Sequence, residues 1–485
     1  MQNSLRKFSR RDILSSGTAT ALVALLPRTS FAIQAEKISD PTVTGNRPAP
    51  ADRRFRSEAV EQFLTEISAR IPDPELARLF TNCYPNTLDT TVEPGTFEGH
   101  PDTAVITGDI AAMWQRDSSA QVWPYLPLCK RDDRLRSLIE GVIRRQARHI
   151  LIDSYANAFM ADLSAPALEW SRKDLTEMKQ GVGERKYELD SLCYPIRLAH
   201  GYWKQTGNTA PFDNQWRDAM RVVIHTMREQ QRKNGLGSYH FQRTASTPTE
   251  TLNEKGFGNP VNPVGLIVSG FRPSDDACIL PFLVPSNLFA VTSLRQLAEM
   301  SNAILHDTTL ANEAHALAEE VESALRQHAL AQIPEGPIWA YEVDGFGDQI
   351  LMDDANVPSL LGLPYIDSSP DAALYTRTRA FVWSKRNPWF FSGSAGEGIG
   401  GPHEGADMVW PMSQIIYAFT STSDTEIRRM VQMLKSSSAG SGFIHESYNK
   451  NDAKNFTRTW FAWANTLFGE LIAKLATTKP DLLRV

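Results

Sequence analysis

Apolar residues recur at every third and fourth position through most of the chain, the signature of helices that bury one face. The first such stretch covers 57–80, where Val60, Phe63, Leu64, Ile67, Ile71, Leu76 and Leu79 share a side. The same spacing predicts helices over 135–152, 188–205, 211–231, 285–303, 309–332, 372–383, 407–422, 424–436 and 456–476. Shorter stretches around Ala120 and Val357 bring the number to about a dozen. Strand-like pieces are few and short, at 104–107 and 338–343. Helices alternating with loops rich in Gly, Pro, Trp and acidic residues suit an all-α toroid of paired helices with the loops gathered at one end. The expected architecture is an (α/α)6 barrel, with two helical domains as the alternative.

The N-terminus changes where this scaffold is expected to work. Arg10 and Arg11 precede a weakly apolar stretch, 17–26, and small residues follow at Ser30 and Ala32 or near Ala35. That order is the layout of a twin-arginine export signal. The stretch falls short of the ~20 residues that span a bilayer. The chain then divides into a signal over 1–35, a Pro-rich lead over 36–54 and one catalytic domain over 55–485. Its expected place is the periplasm or the outside of the cell.

Composition narrows the partners. With 42% hydrophobic and 22% charged residues the chain can form a globular core. A formal net charge of -6, with no basic run after the signal, excludes a nucleic-acid partner. Cys83, Cys129, Cys193 and Cys278 are far apart and form no CxxC pair, so buried free thiols are expected in place of a zinc site or disulfide framework.

Five loops carry candidate chemistry. In the first, Trp114-Gln115-Arg116-Asp117 joins a charged pair to flat aromatic faces, the mixture that sugar hydroxyls and ring C–H faces need. The alternative is a buried Arg–Asp ion pair at a helix start, which can coexist with binding. The second, Glu188-Leu189-Asp190-Ser191, reads as a capped helix or as a site segment. The third, Arg272-Pro273-Ser274-Asp275-Asp276, sets two adjacent carboxylates ahead of an apolar run. One can cap the helix while its neighbour faces a cavity, where burial raises its pKa toward that of a proton donor. The fourth combines 342–348 with Asp353, Asp354 and Asn356; the EF-hand spacing of calcium sites is missing, which favours recognition of hydroxyls. The fifth holds His403-Glu404, Trp410 and His445-Glu446. Neither His-Glu pair continues to HExxH, and no GxSxG elbow or phosphate loop occurs.

Taken in order, Met113-Trp114-Gln115-Arg116-Asp117-Ser118, Arg272-Pro273-Ser274-Asp275-Asp276, Met352-Asp353-Asp354-Ala355-Asn356-Val357-Pro358, Gly401-Pro402-His403 and His445-Glu446-Ser447 resemble glycoside hydrolase family 125, the exo-α-1,6-mannosidases. The resemblance implies an (α/α)6 barrel that removes non-reducing-terminal α-1,6-linked mannose from an oligosaccharide or N-glycan. It implies no metal and no other cofactor, and inversion at the anomeric carbon. It puts the general acid in the Asp275-Asp276 pair, with Asp275 preferred and Asp276 as cap or ligand, and makes Glu446 the general base. It implies a subsite that grips one mannose with Arg116, Asp117, Asp353, Asn356 and His403, with Trp114 and Trp410 as stacking walls; Gln115, Arg272, Asp354 and His445, from the same loops, complete the substrate-binding candidates. A glucoamylase-like hydrolase, a polysaccharide lyase and a non-catalytic glycan-binding protein are the competing readings.

Overall fold

The architecture was analysed in a computed structural model, which describes residues 40–244, 247–368 and 371–485. The twin-arginine stretch and its cleavage region lie outside the described residues. Thirteen α-helices occur among those that are described: α1 (Glu58–Ser68), α2 (Pro74–Cys83), α3 (Asn86–Thr90), α4 (Gln115–Val122), α5 (Asp133–Ile152), α6 (Asp190–Thr206), α7 (Asn214–Glu229), α8 (Val284–Met300), α9 (Thr308–His328), α10 (Ala372–Val382), α11 (Pro411–Phe419), α12 (Asp424–Ser437) and α13 (Ala462–Thr478).

Helix ends follow local chemistry. The stretch 57–80 is two helices, because Pro72 and Pro74 cannot continue α1. The Asp73 carboxylate then caps α2 by accepting from the Leu76 N–H at 2.8 Å, with Pro74 in the first turn. Three expected helices are shorter than their periodicity. Leu330–Ile333 leaves α9 to pair with Gly336–Trp339 as a hairpin. Asp452–Phe456 precedes α13 as a strand on Tyr448–Asn449, and Met408–Val409 precedes α11 as another. No helix forms at Val357; residues 355–367 run as successive turns. Strands are thus short but more numerous than the pattern suggested, all antiparallel, in sheets of two or three.

The long helices form two layers. In the inner layer α4 packs on α6, α6 on α8, α11 on α13, and α13 back on α4. The turns of 355–367 fill the place between α8 and α11. Tyr194 of α6 donates to the Val357 carbonyl at 2.9 Å, and Tyr365 donates to Glu470 of α13 at 2.7 Å. Tyr375 of α10 reaches the Leu361 carbonyl from outside at 2.8 Å. The outer layer places α5 against α6 and α7, α7 and α8 against α9, and α12 against α11 and α2. Most buried apolar residues belong to one continuous core. All four cysteines are buried and unpaired. The lead is no free linker where it is described: Arg47 binds Asp89 at 2.5 Å and Glu61 at 2.6 Å, and the Gly45 carbonyl accepts from Arg78 and Asn82. No described helix is long and apolar enough to cross a membrane.

The contact of α13 with the end of α2 depends on Gly469. A Cβ there would lie 2.5 Å from Cα of Tyr84, a backbone atom that cannot swing aside. Alanine is the better helix former by about 1 kcal/mol, yet overpacking of this kind costs about 1–3 kcal/mol. Gly469→Ala is therefore expected to lower stability in urea unfolding. An unchanged or higher midpoint would show that the two helices can separate cheaply.

Candidate active site

Four of the five chemistry-bearing loops of the sequence precede, or open, an inner-layer helix, and the fourth leads into the 355–367 turns. Arg116 and Asp117 lie in the first turn of α4, Glu188 and Asp190 start α6, and the Asp275-Asp276 turn leads to α8. His403 precedes α11, and Glu446 precedes α13. Helix N-termini carry partial positive charge, which favours the carboxylates gathered around them.

Three small sheets tie these loops together. Ala112–Trp114 pairs with Ala158–Met160, which pairs with Val182–Glu184, so Asn157 and Lys186 stand beside the start of α4. Phe282–Leu283 pairs with Glu342–Val343, bringing Glu342 under the acidic turn. Met408–Val409 pairs with Tyr448–Asn449, joining the His403 loop to the Glu446 loop.

Arg116 is a buried hub. Its Nη1 donates to Glu188 at 2.7 Å and Asp190 at 3.3 Å, and Nε lies 3.4 Å from Asp117. The guanidinium stands 6.0 Å from the Trp463 ring. Burial, with Asp275 nearby, raises Asp117 to about 6 against the pull of Arg116. Burial, together with Asp190 and Asp275, likewise raises Glu188 well above the usual range. Gln115 points elsewhere: its Nε2 lies 3.3 Å from the Gln146 carbonyl, inside the core.

The turn 272–276 is held tightly. The Arg272 N–H donates to the Asp276 carbonyl at 2.7 Å, and the Asp275 N–H to the Arg272 carbonyl at 2.9 Å. Asp275 has φ +70°, a left-handed conformation that non-glycine residues keep only where their surroundings impose it. The two aspartates differ in access. Asp276 is fully buried, with Oδ2 facing Ser274 at 3.5 Å; burial, with Asp354 adding to it, raises its carboxyl to about 6. Asp275 is half-buried and its Oδ1 lies 3.5 Å from Asn157 Nδ2. Arg272 itself faces inward, with Nε on Glu342 at 2.6 Å.

The carboxylates of the fourth loop are engaged by the protein. Asp353 accepts the N–H groups of Leu360 and Leu361, both at 2.8 Å, and is buried; burial raises it to about 8. Asp354 accepts from Ser274 at 2.6 Å and from the Asn356 N–H at 3.3 Å. Asp344 accepts three successive N–H groups, from Phe346 to Asp348. Among the described residues no cluster of carboxylate, His and Cys side chains is arranged to hold a metal ion.

His403 stands at the centre of the acidic groups. Solvent reaches its ring, yet the surrounding protein disfavours its charge; Asp275, Asp276, Glu446 and Glu404 together outweigh that and raise it above the usual histidine range. Its ring lies 6.4 Å from that of Trp410. Glu446 accepts from Arg458 Nη1 and from Thr457, each at 3.2 Å. Arg458 in turn donates to Asp109 at 2.9 Å and Thr107 at 3.3 Å. Burial and the neighbouring Glu446 raise Glu404 to about 8. His445 faces away, stacked on Phe456 at 3.6 Å, and burial lowers it to about 4.

The structure thus brings together Asp117, Asp275, Asp276, Glu446 and His403, with Arg116 behind Asp117. Trp114, Trp410 and Asn356 are buried in the walls. Gln115, Arg272, Asp353 and His445 turn to protein partners. Asn157, Lys186 and Arg458 belong to the site although no sequence motif singled them out, and Glu404, the partner of His403 in the fifth loop, joins them.

The comparisons with known proteins bear on this geometry. The model of the metal-independent α-mannosidase family, GH125, matches residues 73–473. A metal-independent α-mannosidase of Streptococcus pneumoniae, solved in a non-productive complex with α-1,6-mannobiose, is 37% identical. It superposes with a TM-score of 0.83, over 88% of this chain and all of that one. The meiotically up-regulated gene 157 protein of Schizosaccharomyces pombe is 42% identical over 465 residues, 90% of this chain and 89% of its own. A bacterial glucoamylase complexed with acarbose, 12% identical, shares the fold with a TM-score of 0.52 over 86% of this chain and 59% of that one.

Proposed function

The chain belongs to glycoside hydrolase family 125 and is an α-mannosidase, and from that premise we propose that it removes single mannose residues from non-reducing α-1,6-linked ends with inversion. The observation that carries the proposal is the pairing across His403: Asp275, the part-buried member of its aspartate pair, on one loop, and Glu446, held by Arg458 and Thr457, on another.

Asp275 is the general acid in this reading, because a proton donor must touch the leaving oxygen and Asp276 is sealed behind it. Glu446 is the general base. It takes a proton from water as the water oxygen bonds to the anomeric carbon, while Asp275 protonates the departing glycosidic oxygen and the C–O bond breaks. An inverting pair needs a gap of about 6.5–9.5 Å to seat that water. His403, whose pKa its carboxylate neighbours raise against the effect of burial, donates to sugar hydroxyls, and Asp117 accepts from them. Asp354, Asn356, Trp114 and Trp410 shape the pocket wall, with Asp353, Arg272, Gln115 and His445 supporting it from behind.

The proposal extends to the whole chain. The contacts of α4, α6, α8, the 355–367 turns, α11 and α13 make the inner ring of an (α/α)6 barrel. Residues 55–485 form the catalytic domain, preceded by the lead and by a twin-arginine signal over 1–35 that directs it to the periplasm or beyond. The substrate is a mannose-containing oligosaccharide or N-glycan.

Purified enzyme should split α-1,6-mannobiose, and proton NMR should show β-mannose as the first anomer, followed by mutarotation. Intact disaccharide would overturn the linkage, and α-mannose appearing first would overturn inversion.

A further inference from the structure

Lys186 is a buried cation that the proposed hydrolysis leaves unused. Its side chain is 2% exposed, and an ammonium so placed must be paired to be tolerated. Its Nζ donates to Glu250 at 3.0 Å and to the main-chain carbonyl of Asp275 at 2.9 Å, and lies 5.1 Å from the Phe271 ring. The backbone N–H of Lys186 donates to Asn157 Oδ1 at 3.1 Å. Asn157 then presents its Nδ2 to the Asp275 carboxyl at 3.5 Å. Lys186 thus holds the Asp275 carbonyl directly through its ammonium, while its backbone N–H helps to place Asn157, whose Nδ2 also faces Glu184 at 3.3 Å and Glu188 at 3.4 Å.

This matters because the turn opposes its own conformation. At φ +70° an aspartate is held by its surroundings, not by its own preference. The Lys186 ammonium is the side-chain partner that fixes the Asp275 carbonyl from outside the turn. Released from it, the peptide can rotate, and the carboxyl leaves the position that faces the leaving oxygen.

We propose that Lys186 is a positioning residue for proton donation, its ammonium pinning the Asp275 carbonyl so that the Asp275 carboxyl stays aimed at the glycosidic oxygen. The inference rests on the reading of Asp275 as the general acid.

A leaving-group comparison tests both separately. α-1,6-Mannobiose expels an alkoxide and needs the proton; α-mannosyl fluoride expels fluoride and needs little help. Asp275→Asn is expected to lose about 10²–10⁴ in kcat on the disaccharide and far less on the fluoride. Lys186→Met should follow the same pattern, losing about 10² on the disaccharide, the scale of a misplaced catalytic group. On the fluoride it should stay within about threefold of wild type, with KM little changed on either substrate. Lys186→Arg, which keeps a cation near the carbonyl, should recover part of the loss. Glu250→Gln, at a half-exposed partner, should give a milder, equally selective loss, and it decides the matter if Lys186→Met fails to fold. Equal losses on both substrates, or none, would make Lys186 merely structural and overturn the inference. A non-selective Asp275→Asn would overturn the acid assignment itself, and the role of Lys186 with it.

Discussion

Replacing Glu446 by glutamine is expected to lower kcat on α-1,6-mannobiose by about 10³–10⁴, with KM changed far less. Glutamine preserves the shape of the side chain: its amide oxygen can still accept from Arg458 Nη1, while its amide nitrogen can donate to the Thr457 hydroxyl, the two groups that orient the carboxylate at 3.2 Å. What it cannot do is take a proton from water. The loss therefore falls on the chemical step and not on binding. The alanine variant adds a second readout. Azide needs no base, so in Glu446→Ala it should enter the vacated space, bond to the anomeric carbon from the face opposite the leaving group, and give β-mannosyl azide while Asp275 protonates the departing oxygen. NMR of the products checks this directly. A Glu446→Gln enzyme within tenfold of wild type would remove Glu446 from the role of base, and α-mannosyl azide would contradict inversion.

The parts of this site that the sequence revealed were those whose chemistry is local. A pair of aspartates after Arg-Pro-Ser, or a His-Glu pair among glycines, is visible because the residues are adjacent. Helices were visible for the same reason, since their periodicity repeats within one window. What stayed hidden depends on distant partners. Arg458 meets Asp109 across 349 positions, and Lys186 meets the Asp275 carbonyl across 89; neither lies in a motif. The short strand positions 330–332 and 408–409 were absorbed into expected helices because pairing with a neighbour, not their own composition, makes them strands. Nor can spacing tell which oxygen is free. Asp353 and Asp275 look equally available in the sequence, yet the Asp353 carboxylate is buried on the N–H groups of Leu360 and Leu361 while Asp275 is only part-buried.

Arg116 shows the same limit and carries the second large effect. Beside Asp117 in the sequence, it suggests a local ion pair, but its shortest contact is with Glu188, 72 residues on. Its removal in Arg116→Met would leave the buried carboxyl groups of Glu188, Asp190 and Asp117 facing one another without a cation. Breaking a buried pair in this way costs about 3–5 kcal/mol, because a lone buried charge remains. The pH dependence fixes the cause. In the native protein burial already raises the folded-state values of all three carboxyls, Asp117 to about 6. A group with a raised folded value stabilises below its unfolded pKa and loses that contribution as pH rises through the folded one. Without the guanidinium these values rise further, so protonation at pH 5 relieves what ionisation at pH 7.5 imposes. Urea unfolding of Arg116→Met should thus show a deficit at pH 7.5 that shrinks at pH 5. A deficit equal at the two pH values would mean that lost packing against Trp463, 6.0 Å away, outweighs charge. A deficit below about 1 kcal/mol, the scale of an exposed pair, would mean that water reaches the cluster after all.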